Sequence, residues 1–175
     1  MSGNASDKGA IRTVPELLAH ALAMETEAAE RYGELAVQME THHKHKVAAI
    51  FRRLESAEKA HLDDLTEMCK KVQLPNYAPW DFKWSGGESP EAIDIGKVHY
   101  ALSVKEAVIL ALEHERKASD FYAGIADNAE AADVKKLARQ FADEELEHIG
   151  WLETCLAESG NELAAEDPDP PLGQE

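Results

Sequence analysis

The sequence is poor in cysteine, in basic residues and in long apolar runs. Its two cysteines, Cys69 and Cys155, form no C-x-x-C pair, which excludes a disulfide scaffold and a cysteine-based zinc site. We expect both to be reduced thiols with a structural role. No run approaches the ~20 apolar residues of a membrane span, and the first ten residues lack the apolar stretch of a signal peptide. We therefore expect a cytoplasmic protein without a membrane partner.

Charge is strongly biased to one sign. Lysine and arginine number 18 against 34 aspartates and glutamates, which gives a formal net charge of −16. This balance argues against a nucleic-acid partner, because neutralising phosphates requires a basic patch. The acidity favours solubility and attracts cations.

Four stretches have the apolar spacing of amphipathic helices. They cover about residues 13–42, 44–73, 103–129 and 131–159. The first and third open on Thr13 and Ser103, each followed three residues later by a glutamate, which is the pattern of a capping box. Gly160 is expected to follow the end of the fourth helix.

The linking segments predict how the helices are arranged. Short turns join helices one to two and three to four, so each pair is an antiparallel hairpin. Residues 74–102 are rich in proline, glycine and aromatics and are long enough to cross the length of the bundle. The prediction is an all-α four-helix bundle over residues 13–160, made of two antiparallel hairpins joined by a long crossover, with a flexible N-terminus (1–12) and a disordered acidic tail (161–175).

The chain contains an internal repeat. Residues 13–36 and 103–126 align at an offset of 90 with eight identities in 24 positions, among them Glu25/Glu115 and Tyr32/Tyr122. Helices two and four align at an offset of 87. That alignment pairs the two Glu-x-x-His motifs, Glu58–His61 and Glu145–His148.

Six of these repeated residues are predicted to face the interior of the bundle. The residues near them on the helical wheel are mostly apolar, as for Glu25 beside Leu18 and Leu22. A buried carboxylate costs several kcal/mol unless it is paired or bound to a metal. Two divalent cations would balance the four carboxylates, and a ligand set rich in carboxylates with one histidine per metal suits iron or manganese. The predicted ligands are Glu25, Glu58, His61, Glu115, Glu145 and His148.

These motifs resemble the ferritin-like superfamily, and within it the rubrerythrin di-iron domain. The resemblance covers roughly residues 13–157. It implies two iron ions, with manganese possible, and a reaction with peroxide, oxygen or ferrous iron. It also implies that the glutamates that share a helix with a histidine, Glu58 and Glu145, bridge the metals, while Glu25 and Glu115 are terminal ligands.

Two features depart from typical rubrerythrins. Those proteins carry an extra carboxylate three residues after the helix-three glutamate, where this chain has Ala118. They also carry a rubredoxin module with paired C-x-x-C motifs, which this sequence lacks, so we expect a separate electron donor. Family members commonly pair, and we expect a homodimer.

Several residues keep two interpretations. Tyr32 and Tyr122 are expected to be core aromatics, with a hydrogen bond to a ligand carboxylate across the bundle as the alternative. Residues 42–45 (HHKH) are expected to form an exposed, functionally silent turn, with metal delivery as the alternative. Glu55 and Glu144 neighbour the ligand positions, and the less favoured interpretation is that they act as supplementary ligands or in metal entry. Trp80 and Trp84 are expected to seal the crossover or to bury a dimer surface.

Three functions remain open at this stage. The first is a di-iron oxidoreductase of peroxidase or ferroxidase type. The second is a non-enzymatic protein that binds or hands on iron. The third is an acidic bundle without metal.

Overall fold

The computed structural model describes residues 10–84 and 86–162, with side chains as far as Ser159. Within these residues the chain forms four α-helices and no strand, as the sequence predicts. The helices are α1 (Val14–Thr41), α2 (His45–Cys69), α3 (Val104–Asn128) and α4 (Ala132–Glu162). Most of the predicted N-terminal segment (1–12) and the predicted tail beyond residue 162 lie outside the described residues.

Capping boxes begin α1 and α3, as predicted. Thr13 Oγ1 accepts from the backbone N–H of Glu16 at 3.3 Å, and the Glu16 carboxylate accepts from the backbone N–H of Thr13 at 3.1 Å. Ser103 and Glu106 make the same reciprocal pair at 3.2 and 2.8 Å. Each box satisfies two helix donors that would otherwise lack partners.

Two predicted helix ends are wrong. α2 ends at Cys69 rather than Gln73. Beyond it Val72 and Leu74 pack against the core, and a longer helix would lose this packing. α4 does not end before Gly160 but continues to Glu162. A glycine inside a helix costs only about 1 kcal/mol of stability, so Gly160 weakens the helix but does not end it.

The core is divided into two apolar clusters that fill opposite ends of the bundle. The first cluster joins the C-terminal half of α1 to the start of α3, and includes Tyr32, Phe51, Leu112 and Leu152. The second joins the start of α1 to the C-terminal half of α3, and includes Leu17, Met24, Tyr122 and Phe141. α1 packs mainly on α2 and α3 on α4, which confirms the two predicted hairpins. The charged residues described below lie between the clusters.

The crossover between α2 and α3 runs along the bundle from the second cluster to the first. Its early residue Trp84 packs on the second cluster, and its later residue Ile93 is buried in the first. The backbone N–H of Lys83 donates to His20 Nε2 at 2.8 Å, which ties the segment to α1. Trp84 therefore seals the crossover as predicted. Trp80 does not, because it is 84% exposed, and its alternative place in a dimer surface stays a prediction.

Candidate metal centre

Four glutamates, one from each helix, are buried at the level between the two apolar clusters. Glu25, Glu58, Glu115 and Glu145 are each at most 3% exposed. The helical wheel predicted that all four face inward, and the structure places them so. A carboxylate taken out of water in this way must gain a compensating partner, or it must give up its charge by protonation.

Two half-buried histidines present their Nδ1 atoms to these carboxylates. His148 Nδ1 lies 2.9 Å from Glu115 Oε2 and 3.2 Å from Glu58 Oε1. His61 Nδ1 lies 3.6 Å from both Glu25 Oε2 and Glu58 Oε2. The two imidazole rings stack with centroids 4.9 Å apart, so the Glu-x-x-His motifs of α2 and α4 meet face to face.

The six residues fall into two groups with the compactness of metal sites. Glu58, Glu115, Glu145 and His148 each offer a ligand atom within 4.8 Å of the others, and so do Glu25, Glu58 and His61. Glu58 belongs to both groups, which is the position of a carboxylate shared between two metals. Glu145, the other predicted bridging residue, belongs to one group only.

Tyrosine hydroxyls from the opposite helix orient two of the carboxylates. Tyr32 on α1 donates to Glu115 Oε1 at 2.5 Å, and Tyr122 on α3 donates to Glu25 Oε1 at 2.9 Å. Both tyrosines are fully buried, so they are core aromatics and hydrogen-bond donors to the candidate ligands at the same time. Both interpretations made from the sequence therefore hold: the tyrosines are core aromatics, and each donates a hydrogen bond to a carboxylate across the bundle.

The pKa values of the two histidines and of Glu145 are raised, whereas the pKa of Glu58 is lowered. Burial lowers the pKa of His61, but the carboxylates of Glu25 and Glu58 outweigh it and raise this pKa to about 10. The His148 pKa is raised in the same way. Burial raises the pKa of Glu145 to about 8, with repulsion from Glu58 adding to it. Burial also raises the pKa of Glu58, yet the two imidazoles overcome it and hold this pKa at about 2.

The donor set fits a pair of divalent cations. Among the described residues, four buried carboxylate oxygens of the cluster accept no hydrogen bond of good geometry: Glu25 Oε2, both oxygens of Glu58 and Glu145 Oε2. These oxygens belong to the two groups described above, and oxygen ligands with one imidazole per group are typical of iron and manganese sites.

The other candidate residues lie away from the cluster. Glu55 is held by Arg52 and Lys59 at 2.8 and 2.6 Å, and Glu144 accepts from Gln140 Nε2 at 2.9 Å. The HHKH turn, residues 42–45, is exposed, as predicted. Cys69 and Cys155 are free thiols. The structure thus gathers the six predicted ligands and leaves the supplementary candidates outside.

One acidic residue of the centre was not predicted. Glu91, in the crossover, is 1% exposed, and both of its carboxylate oxygens lack a hydrogen-bond partner in the described structure. The groups that act on it most strongly are Glu58 and Glu145, followed by Glu25 and Glu115. The sequence carried no signal for it, because the crossover has neither helical periodicity nor a counterpart in the internal repeat.

Four helices in two hairpins around buried glutamates and histidines define a ferritin-like bundle with a candidate metal centre. The sequence model described as Rubrerythrin matches the chain twice, at residues 16–81 and 106–171. Each match contains one hairpin's core glutamate and one Glu-x-x-His motif. The chain belongs to the rubrerythrin family, which confirms the resemblance found in the motifs.

A solved structure supports the same fold over nearly the whole chain. The crystal structure of an uncharacterized conserved protein from Magnetospirillum magnetotacticum MS-1 is 32% identical to this chain. The match covers 92% of this chain and 99% of that one, with a TM-score of 0.68. No curated protein matches at a significant level. In the described part of the chain, no helix is long and apolar enough to cross a membrane.

Proposed function

We propose that this protein is a non-haem di-iron oxidoreductase that reduces peroxide or oxygen, with ferrous iron as a further substrate of the same centre. The observation that carries the proposal is the place of Glu58. This fully buried carboxylate belongs to both ligand groups, one with His61 and the other with His148. A shared carboxylate between two such groups is suited to two metals held close enough to act together.

Each of the six residues has a distinct part in this proposal. Glu58 would be the ligand common to both metals, and Glu145 would be the second bridge. Glu25 and His61 complete one position, and Glu115 and His148 complete the other. Two bound irons would supply two electrons, the number that reduces one hydrogen peroxide to two waters when two protons are added. Manganese is the alternative metal.

The surrounding residues supply orientation and an apolar environment. Tyr32 and Tyr122 hold one oxygen of Glu115 and of Glu25, so the second oxygen of each carboxylate is directed toward its histidine. Outer partners of this kind fix ligand geometry and raise ligand affinity. The apolar clusters on either side exclude water, which strengthens every electrostatic interaction between them.

The proposal is tested by loading the protein anaerobically with ferrous iron and mixing it with hydrogen peroxide or with oxygen. Stopped-flow absorbance should show rapid oxidation, with about one peroxide consumed per pair of irons. The Glu58→Ala/Glu145→Ala double variant is the control, because it removes both candidate bridges. Slow oxidation, with iron passing reversibly to a chelator, would contradict the oxidoreductase and favour the iron-handling function instead.

A further inference from the structure

Among the described residues, Glu91 is the most deeply buried acidic side chain outside the four helices. It is 1% exposed, and neither carboxylate oxygen has a hydrogen-bond partner in the described structure. A buried polar group without a partner is costly, and a carboxylate is more costly than a neutral group. An apolar residue at this position would fill the space without that cost.

The crossover holds Glu91 in place from both sides. Trp84 anchors the segment on the second apolar cluster, and Ile93 anchors it in the first. Between them the backbone N–H of Ala92 donates to the carbonyl of Ser89 at 3.0 Å, which forms a turn around Glu91. The ring of His114 on α3 also interacts with the backbone of Pro90. The turn is therefore held against the bundle, between the points where the crossover packs on the two apolar clusters.

The neighbours of Glu91 are the candidate ligands and the groups that orient them. Glu91 interacts electrostatically with all four ligand glutamates, most strongly with Glu58 and Glu145. It also acts on the hydroxyl groups of Tyr32 and Tyr122. Its oxygens lie outside the two compact groups, so it approaches the centre as a separate, fifth carboxylate.

A purely structural part for Glu91 does not account for these observations. If the carboxyl were protonated, its O–H would still lack an acceptor, since both oxygens are without partners. If it were ionised, it would repel the four buried carboxylates with which it interacts. A cation at the centre resolves both difficulties, because it attracts the carboxylate and supplies the missing partner.

We propose that Glu91 is a metal-ligating residue of this centre, a fifth carboxylate that the crossover supplies to the bound metals. The inference rests on the proposed function, since it requires the centre to hold metal. The four helices carry a twofold repeat, but the crossover occurs once. Glu91 therefore makes the two metal positions chemically different. Ala118, buried on α3 one turn after Glu115, has no side-chain oxygen, so α3 supplies only one carboxylate and the crossover supplies the fifth.

The test compares three proteins: the wild type, Glu91→Gln and Glu88→Gln. Glu88 lies in the same crossover but is exposed, so Glu88→Gln is a matched control. Binding of ferrous iron is measured anaerobically by calorimetry, and thermal unfolding is measured with and without iron. We expect Glu91→Gln to lose about tenfold or more in affinity for at least one iron. We expect its iron-free unfolding temperature to be equal to or above that of the wild type.

The outcomes separate the two proposals. A structural Glu91 would lower the unfolding temperature of Glu91→Gln equally with and without iron, which would overturn the inference. Wild-type affinity and stoichiometry in Glu91→Gln would also overturn it, while the proposed function would stand. Failure of the wild type itself to bind iron would refute the proposed function, and the inference with it. An equal loss in Glu88→Gln would show that only net charge matters, and would again overturn the assignment.

Discussion

Tyr32 on α1 donates a hydrogen bond to Glu115 on α3, with 2.5 Å between the hydroxyl oxygen and Oε1. The repeat produces the reverse bond, in which Tyr122 on α3 donates to Glu25 on α1 at 2.9 Å. Each hairpin thus orients a candidate ligand of the other. The centre depends on both hairpins, although each one carries its own Glu-x-x-His motif.

Replacing a tyrosine of this reciprocal pair should weaken metal binding without unfolding the bundle. Tyr32→Phe keeps the buried ring and removes only the donor to Glu115, so we expect affinity for ferrous iron to fall about 10- to 100-fold. Tyr100→Phe is the control, because Tyr100 is exposed. Anaerobic iron titration makes the measurement. Equal affinity in the two variants would refute an orienting function for Tyr32.

Two glutamates three residues apart on α2 should behave in opposite ways. Glu58→Gln removes the carboxylate shared by both groups, so binding of both metals should weaken by more than about a hundredfold, beyond the range for outer partners. Glu55→Gln breaks only ion pairs with the exposed side chains of Arg52 and Lys59. It should leave iron stoichiometry unchanged and cost about 1 kcal/mol or less in stability. Retention of both metals by Glu58→Gln would refute the ligand assignment.

Metal binding should release protons and strengthen as the pH rises. Without metal, His61 has a pKa of about 10 and Glu145 a pKa of about 8, so both hold protons at pH 7. Metal can bind only the deprotonated forms. Calorimetric titration of iron in buffers of different ionisation enthalpy would count the released protons. We expect more than one proton per chain at pH 7, and a count of zero would contradict this protonation pattern.

The metal-free protein should be least stable in alkaline solution. Glu145 and His61 have pKa values raised above their unfolded values, so the folded state holds extra protons. Their contribution to stability is complete below about pH 4.5 and 6.5, respectively, and is lost as the pH rises to about 8 and 10. Glu58 has the opposite sign, because its pKa is lowered to about 2. Its contribution is lost as the pH falls from about 4.5 to 2.

Urea unfolding of the metal-free protein between pH 3 and 10 tests this dependence. The free energy of unfolding should be greatest near pH 5 and should fall by on the order of a few kcal/mol toward pH 10. Glu145→Gln, which cannot lose a proton, should show a shallower fall. An equally steep fall in that variant would show that Glu145 does not cause it.

Helix periodicity and the internal repeat were enough to predict the bundle and to place six residues at one centre. Inward-facing positions such as Glu25 follow from the 3.6-residue period of a helix, which is visible in the spacing of apolar residues along the sequence. Recurrence at an offset of 87 then separated Glu58 from the neighbouring Glu55, which has no counterpart in the repeat. The pairing of Tyr32 with Glu115 was open until the structure showed how the hairpins dock.

Glu91 could not be predicted, for a physical reason. The crossover has no regular period, so its sequence does not indicate which side chains point inward. The inward direction of Glu91 is set by tertiary contacts, namely the anchoring of Trp84 and Ile93 on opposite ends of the core. The end of α2 at Cys69 was missed for a similar reason, because packing of Val72 and Leu74 outweighs local helix propensity. The expected homodimer stays a prediction.

The most direct test of the central claim is metal content after anaerobic loading. The protein is equilibrated with ferrous iron, passed through a desalting column, and analysed for iron and manganese together with protein concentration. The account predicts close to two metal ions per chain in the wild type, and close to none in the Glu58→Ala/Glu145→Ala double variant. A wild-type protein that leaves the column without bound metal would contradict it.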